Sequence, residues 1–143
     1  MSVINKHAEM RDLAQKNLRA SVAFLAENNI KPSITTLASG LQYRMLHAGD
    51  GQQPDDNSTV ICHYKGQLID ERIFGASDPK EGPVSFVVKE LIPGLKEGLK
   101  LMKVGGIADF FIPPDLAYGD RPASSIIGPN VVLIYRIELL KIK

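Results

Sequence analysis

The chain has a single cysteine, Cys62, so no disulfide can form within it. It has no run of about 18 apolar residues, and nothing in it reads as a membrane-spanning helix. Charge of one sign is not in excess. Seventeen Lys and Arg against 16 Asp and Glu leave a formal charge of +1, without the basic footprint that nucleic-acid binding needs. The first residues lack the charged-then-apolar pattern of a secretory signal. The resulting expectation is a cytoplasmic protein with no membrane or nucleic-acid partner, or a periplasmic one if a signal preceded residue 1. His7, His47 and His63 lie far apart and carry no metal-ligand spacing. No G-x-S-x-G elbow, phosphate loop or dinucleotide fingerprint occurs, and the carboxylates form no evident acid/base pair. Cys62 falls mid-strand on the inward set, where a buried, inert thiol is expected. Covalent, metal and hydride chemistries are therefore unsupported, and no cofactor is implied.

What is present begins with a helix. Residues 5 to about 28 contain neither Gly nor Pro and are rich in alanine. Met10, Leu13, Ala14, Leu18, Val22 and Leu25 recur at helical spacing and make one apolar stripe. A lone helix of this length is marginal in water, so the stripe calls for a partner. Its own domain and a second copy of the helix both remain open. Asn28-Asn29 and then Lys31-Pro32 end the helix, and residues 30 to 39 read as a Ser/Thr/Pro linker. The pattern then changes to period two. Strands are expected around Leu41 to Met45, over Thr59 to Leu68 with Val60, Cys62 and Tyr64 inward, at Ile73-Phe74 with a break near Gly75, over Val84 to Val88, over Ile107 to Ile112 and over Val131 to Ile142. Pro93 suits the first turn of a short helix carrying Leu95, Leu99 and Met102. Turn-joined strands predict an antiparallel sheet, and the class is α+β.

The stretch from Phe110 to Gly119 organises the rest. Pro113-Pro114 ends a strand, because proline lacks a donor and fixes φ. Asp115 is expected to bond to the backbone ahead of it and start one tight turn. The turn presents Tyr118, and Gly119 lets the chain leave at positive φ. Tyr118 is then either a packed corner tyrosine or one that overhangs a pocket.

The second reading gains from a resemblance. Val60-Ile61-Cys62-His63-Tyr64-Lys65-Gly66-Gln67-Leu68, then Phe74, then Leu91-Ile92-Pro93-Gly94, then Ile112 to Gly119, and finally Ile137-Glu138-Leu139-Leu140 resemble the FKBP-type peptidyl-prolyl cis/trans isomerases. The leading helix and Ser39-Gly40-Leu41-Gln42-Tyr43 are similar to the bacterial macrophage infectivity potentiator-like branch.

The resemblance implies a bent antiparallel sheet of five to six strands wrapped around the helix at Pro93, with residues 1–38 as a helical leader and 39–143 as the isomerase domain. It implies a proline-binding pocket between that helix and the sheet. In it Tyr118, the Ile92 N–H and Phe74 would act on the substrate, and Tyr64, Leu91, Leu95, Ile127 and Tyr135 would hold it. The implied function is isomerisation of X-Pro bonds in peptides and unfolded proteins. Macrolide-type inhibitors are a further ligand class the resemblance allows, and a homodimer through the N-terminal helix is one of the two destinations its apolar stripe leaves open. The chain departs from the family pattern at Gly75, where an aspartate is usual, at Leu95, usually tryptophan, and at Tyr135, usually phenylalanine. Gly75 and Leu95 frame the alternative, a proline-binding chaperone module with weak turnover.

Overall fold

A computed structural model describes the backbone of residues 3–143 and the side chains from Lys6 onward. Helix α1 (Val3–Ile30) leads into strands β1 (Thr35–Thr36), β2 (Gln42–His47), β3 (Thr59–Gln67), β4 (Ile73–Ala76) and β5 (Val84–Val87). Helix α2 (Pro93–Leu101), β6 (Ile107–Ile112) and β7 (Leu133–Ile142) follow. All strand pairs are antiparallel, in the order β1-β2-β6-β7-β3-β4, and β5 pairs with the first half of β3 while β4 pairs with the second.

The period-two pattern sets what this sheet buries. Val60 and Cys62 of β3, Ala108, Phe110 and Ile112 of β6, and Leu133, Ile137 and Leu139 of β7 point to one face and join Leu95, Leu99 and Met102 in a single core. The bent sheet around a short helix is therefore present. Its strands number seven because the expected linker contributes Thr35 and Thr36 as an edge ladder on Tyr43 and Gln42. The expected break near Gly75 takes the form of a register shift that skips Phe74, between the pairs Gly66–Gly75 and Gln67–Ile73, and not of a strand end. Gly75 pairs with Gly66, and the ladder continues to Ala76, because a strand needs only backbone to hold a rung. Burial pushes the Cys62 thiol up to about 12, as befits a solvent-free strand position.

Of the two destinations left open for the apolar stripe of helix α1, its own domain takes only a small part of it. Met10, Leu13, Leu18 and Val22 of the apolar stripe are exposed, Val22 at 60%. The docked face runs through Asn17, Ser21 and Asn28 instead. The Asn17 amide donates to the Pro129 carbonyl at 2.9 Å, and the Ser21 hydroxyl to the Asn130 carbonyl at 2.7 Å. The Asn28 amide donates to Gln42 Oε1 at 2.8 Å, and the Gln42 amide to the Leu25 carbonyl at 2.9 Å. Asn17 and Ser21 satisfy loop carbonyls that lie outside any ladder, which apolar side chains could not do. Phe24 adds a ring contact to Phe111, with centroids 6.1 Å apart.

Candidate active site

The site grows from two chain corners. Pro93 at the first turn of α2 leaves Ile92 extended as the residue that caps it. The Ile92 carbonyl accepts from the Leu95 and Lys96 amides, whereas the Ile92 N–H donates to no other group among the described residues. The second corner follows β6. Pro113 and Pro114 stop the strand and a single 3-10 turn runs over Pro114–Leu116. The Asp115 side chain does not cap that turn, contrary to expectation; the Leu116, Ala117 and Gly119 amides close onto the Pro113 and Pro114 carbonyls instead. Gly119 leaves at φ +64°, and Tyr118 stands 44% exposed with its hydroxyl unbonded among the described residues.

Between these corners and the sheet lies a cavity of about 370 Å³ lined by Tyr64, Phe86, Glu90, Leu91, Ile92, Leu95, Leu99, Tyr118, Tyr135 and Ile137. One wall is a run of rings. Phe74 meets Tyr135 edge-on at 5.4 Å, Tyr135 meets Tyr64 at 6.3 Å, and Tyr64 meets Phe86 edge-on at 5.5 Å. Gly66 makes this wall possible, since a Cβ there would sit 2.5 Å from the Phe74 ring and 3.2 Å from Tyr135. Burial, with Tyr118 and Tyr64 close by, pushes the Tyr135 phenol well above its usual value, so it remains a protonated donor. At Gly75 a Cβ would stand 3.2 Å from the Tyr64 hydroxyl, so that hydroxyl reaches into the space a side chain would claim.

Of the eight residues singled out from sequence, six line one cavity: Tyr118, Ile92, Tyr64, Leu91, Leu95 and Tyr135. Phe74, at the end of the run of rings, does not line the cavity and touches Tyr135, which does. Ile127 packs into the core at 7% exposure, with its N–H bonded to the Ser124 hydroxyl, and does not line the cavity. Four lining residues were not anticipated: Phe86, Glu90, Leu99 and Ile137. Leu99 and Ile137 carried only a core signal, since floor and core share the same periodicity. Phe86 alternates inward on β5 and Glu90 precedes the Leu91-Ile92 corner, so both were within reach of the pattern. No group of three His, Cys, Asp or Glu side chains able to hold a metal occurs among the described residues.

An apolar cup with hydroxyls and a free amide at its rim can bind a compact apolar group and hold an adjacent carbonyl. Comparison with known proteins gives this geometry a context. Residues 50–140 match the pattern of FKBP-type peptidyl-prolyl cis-trans isomerases, and residues 2–45 that of the domain amino-terminal to them. Peptidyl-prolyl cis-trans isomerase Mip of Coxiella burnetii is 43% identical over 127 residues, covering 89% of this chain and 55% of that protein. Outer membrane protein MIP of Legionella longbeachae is 41% identical over 138 residues, covering 96% and 59%. The crystal structure of FkpA from Escherichia coli superposes with a TM-score of 0.90 at 37% identity, covering 96% of this chain and 64% of that one. The chain thus spans between half and two thirds of the length of these relatives.

Proposed function

This chain belongs to the FKBP-type peptidyl-prolyl cis-trans isomerases, and from that premise we propose that it catalyses rotation about X-Pro bonds in peptides and unfolded proteins, without covalent chemistry, in the cavity between α2 and the sheet. The observation that carries the reading is the pairing of an apolar cup with two unbonded donors, the Tyr118 hydroxyl and the Ile92 N–H. Rotation about an amide is opposed by a barrier of about 18–20 kcal/mol because resonance stiffens the C–N bond. At X-Pro bonds both isomers are populated and exchange takes tens of seconds or longer. A catalyst needs no nucleophile here. It needs to bind the twisted amide better than either planar form. The twisted amide has lost resonance and charge separation, so a dry apolar wall of Tyr64, Leu91, Leu95 and Tyr135 favours it. The proline ring fills the cup while Tyr118 and Ile92 hold the carbonyl. In this reading Phe74 sets the Tyr135 ring and acts on substrate only through it. Macrolide-type inhibitors are expected to occupy the same cup.

We also divide the chain into a helical leader, 1–38, and a catalytic unit, 39–143. As to location, the cytoplasmic expectation has no support among the relatives. One of them is named an outer membrane protein, which favours the periplasmic alternative for this chain. A protease-coupled assay on X-Pro peptides tests the central claim. Acceleration over the uncatalysed rate is expected. Binding of the peptide with no acceleration would leave only a chaperone module.

A further inference from the structure

The face of the sheet turned away from the cavity carries a row of charge. Arg44 of β2 stands opposite Asp109 of β6, Asp109 opposite Arg136 of β7, and Arg136 opposite Lys65 of β3. One register line across four strands therefore reads plus, minus, plus, plus. Asp109 is spent within the row. Arg136 grips both its oxygens, at 2.7 and 3.0 Å, and Arg44 Nη2 shares one of them at 2.7 Å. Lys65 forms no ion pair with any carboxylate among the described residues, although it faces Arg136 directly. Like charges opposed on one rung are unfavourable. Arg44 Nε is a second loose end, enclosed and without a hydrogen-bond partner.

The next rung on the same face is apolar at its centre and carries Gln42 and Gln67 at its ends. Phe111 and Ile134 pair there, and Phe24 of α1 leans over Phe111. Together the two rungs enclose a cavity of about 380 Å³ roofed by the last turns of α1. Lys31 lies just past the end of that helix and offsets its carbonyl terminus. Counting Glu71 at the rim, four cations here meet two carboxylates, so a charge of two remains uncompensated.

We propose that this cavity is a second binding site, separate from the isomerase cup, for a carboxylate that carries an apolar group. Both forks are turned on Asp109, so the groups left for a ligand carboxylate are the Nη1 nitrogens of Arg44 and Arg136 and the Lys65 ammonium, whose charge-assisted bonds suit it. The Phe24, Phe111 and Ile134 floor takes the ring or aliphatic group attached to it. A free small acid and the C-terminus of a peptide chain share this chemistry.

The test titrates the full chain with N-acetylphenylalanine, followed by amide NMR. Saturable shifts confined to β2, β6, β7 and the end of α1 are expected. The corresponding primary amide should bind at least roughly tenfold more weakly, since it lacks the charge-assisted bonds. Lys65→Glu supplies Arg136 with a carboxylate of its own. It should abolish binding while the thermal midpoint holds or rises. A peptide ending in phenylalanine that binds more tightly than the single acid identifies a chain terminus as the natural ligand; equal or weaker binding identifies a small acid. Inorganic phosphate binding as well as N-acetylphenylalanine would reduce the site to a bare charge patch and overturn the proposal, as would the absence of saturable shifts.

Discussion

The two helices meet the domain in opposite ways. Helix α2 lies on the inner face of the sheet through its apolar side, with Gly94, Leu95, Gly98 and Leu99 buried. It comes so near that Cβ atoms at its glycines would overlap Ile112 at Gly94 and fall 2.7 Å from Phe110 at Gly98. Helix α1 docks through amides, a hydroxyl and Phe24, and leaves Met10, Leu13, Leu18 and Val22 of its apolar stripe in solvent. One helix is held by shape, the other largely by side-chain hydrogen bonds. Apolar periodicity therefore identifies a helix without identifying which face the domain receives.

The largest effect should come from spoiling the close fit. Gly98→Val gains helix propensity over glycine but drives two methyls into the Phe110 ring. It should cost about 3 kcal/mol or more, read as a lower urea midpoint. An unchanged midpoint would mean that α2 has room to lift. On the other helix, Asn28→Ala removes the donor to Gln42 inside the interface, at a residue only 1% exposed. The cost should be about 1–3 kcal/mol, because a buried oxygen is left without its partner. The isomerase rate at temperatures well below unfolding should not change.

Acid should separate the two faces of the sheet. Burial pushes the Asp109 carboxyl up, but hydrogen bonds and charge from Arg136 and Arg44 outweigh it and leave its pKa below the usual carboxylate range. A carboxyl lowered on folding adds stability above its unfolded value of about 3.9, and that stability is lost as pH falls through the lower folded value. Urea midpoints between about pH 5 and pH 2 should therefore decline more steeply for the native chain than for Asp109→Asn. Equal slopes would show that the charged row contributes nothing to the fold.

These contrasts also mark what could be read before the structure. Helix α2 and strand β6 were legible to within a residue or two, since Pro93, Gly105-Gly106 and Pro113-Pro114 punctuate them chemically. Thr35 and Thr36 were not, because a two-residue strand has no period and exists only through its partner β2. The cup was legible where a corner announces it, at Leu91-Ile92 and Tyr118. It was hidden where a core residue doubles as floor, as Leu99 and Ile137 do. Ile127, which the resemblance assigned to the pocket, is one of the core residues and is not among those that line this cavity.

A smaller change should act on rate alone. Tyr118→Phe keeps the ring and removes a hydroxyl that bonds to nothing among the described residues. Transition-state binding should weaken by about 0.5–1.5 kcal/mol, seen in kcat/KM, with the unfolding midpoint unmoved. The mirror outcome, a lower midpoint with kcat/KM intact, would make the hydroxyl structural.

The exposed stripe of α1 should give the smallest stability effect and the clearest contrast. Leu18→Gln with Val22→Gln replaces two solvent-facing apolar side chains, so the midpoint should move by no more than about 0.5 kcal/mol. An apolar stripe on a helix is ordinarily covered, and this one is left uncovered by its own domain. Beside it runs a groove where Leu18, Val22 and Leu25 face Pro113 and Pro114. A second copy of the helix is the occupant we expect, since two such stripes would bury one another and bring two isomerase cups into one particle. A client held at both cups would then benefit from effective concentration. Light scattering across a dilution series should show the native chain gaining mass with concentration and the double variant remaining a monomer. If the native chain is a monomer throughout, the stripe does not pair with itself. In that case a loss of refolding assistance in the double variant, at unchanged rate on short peptides, would assign the stripe to clients.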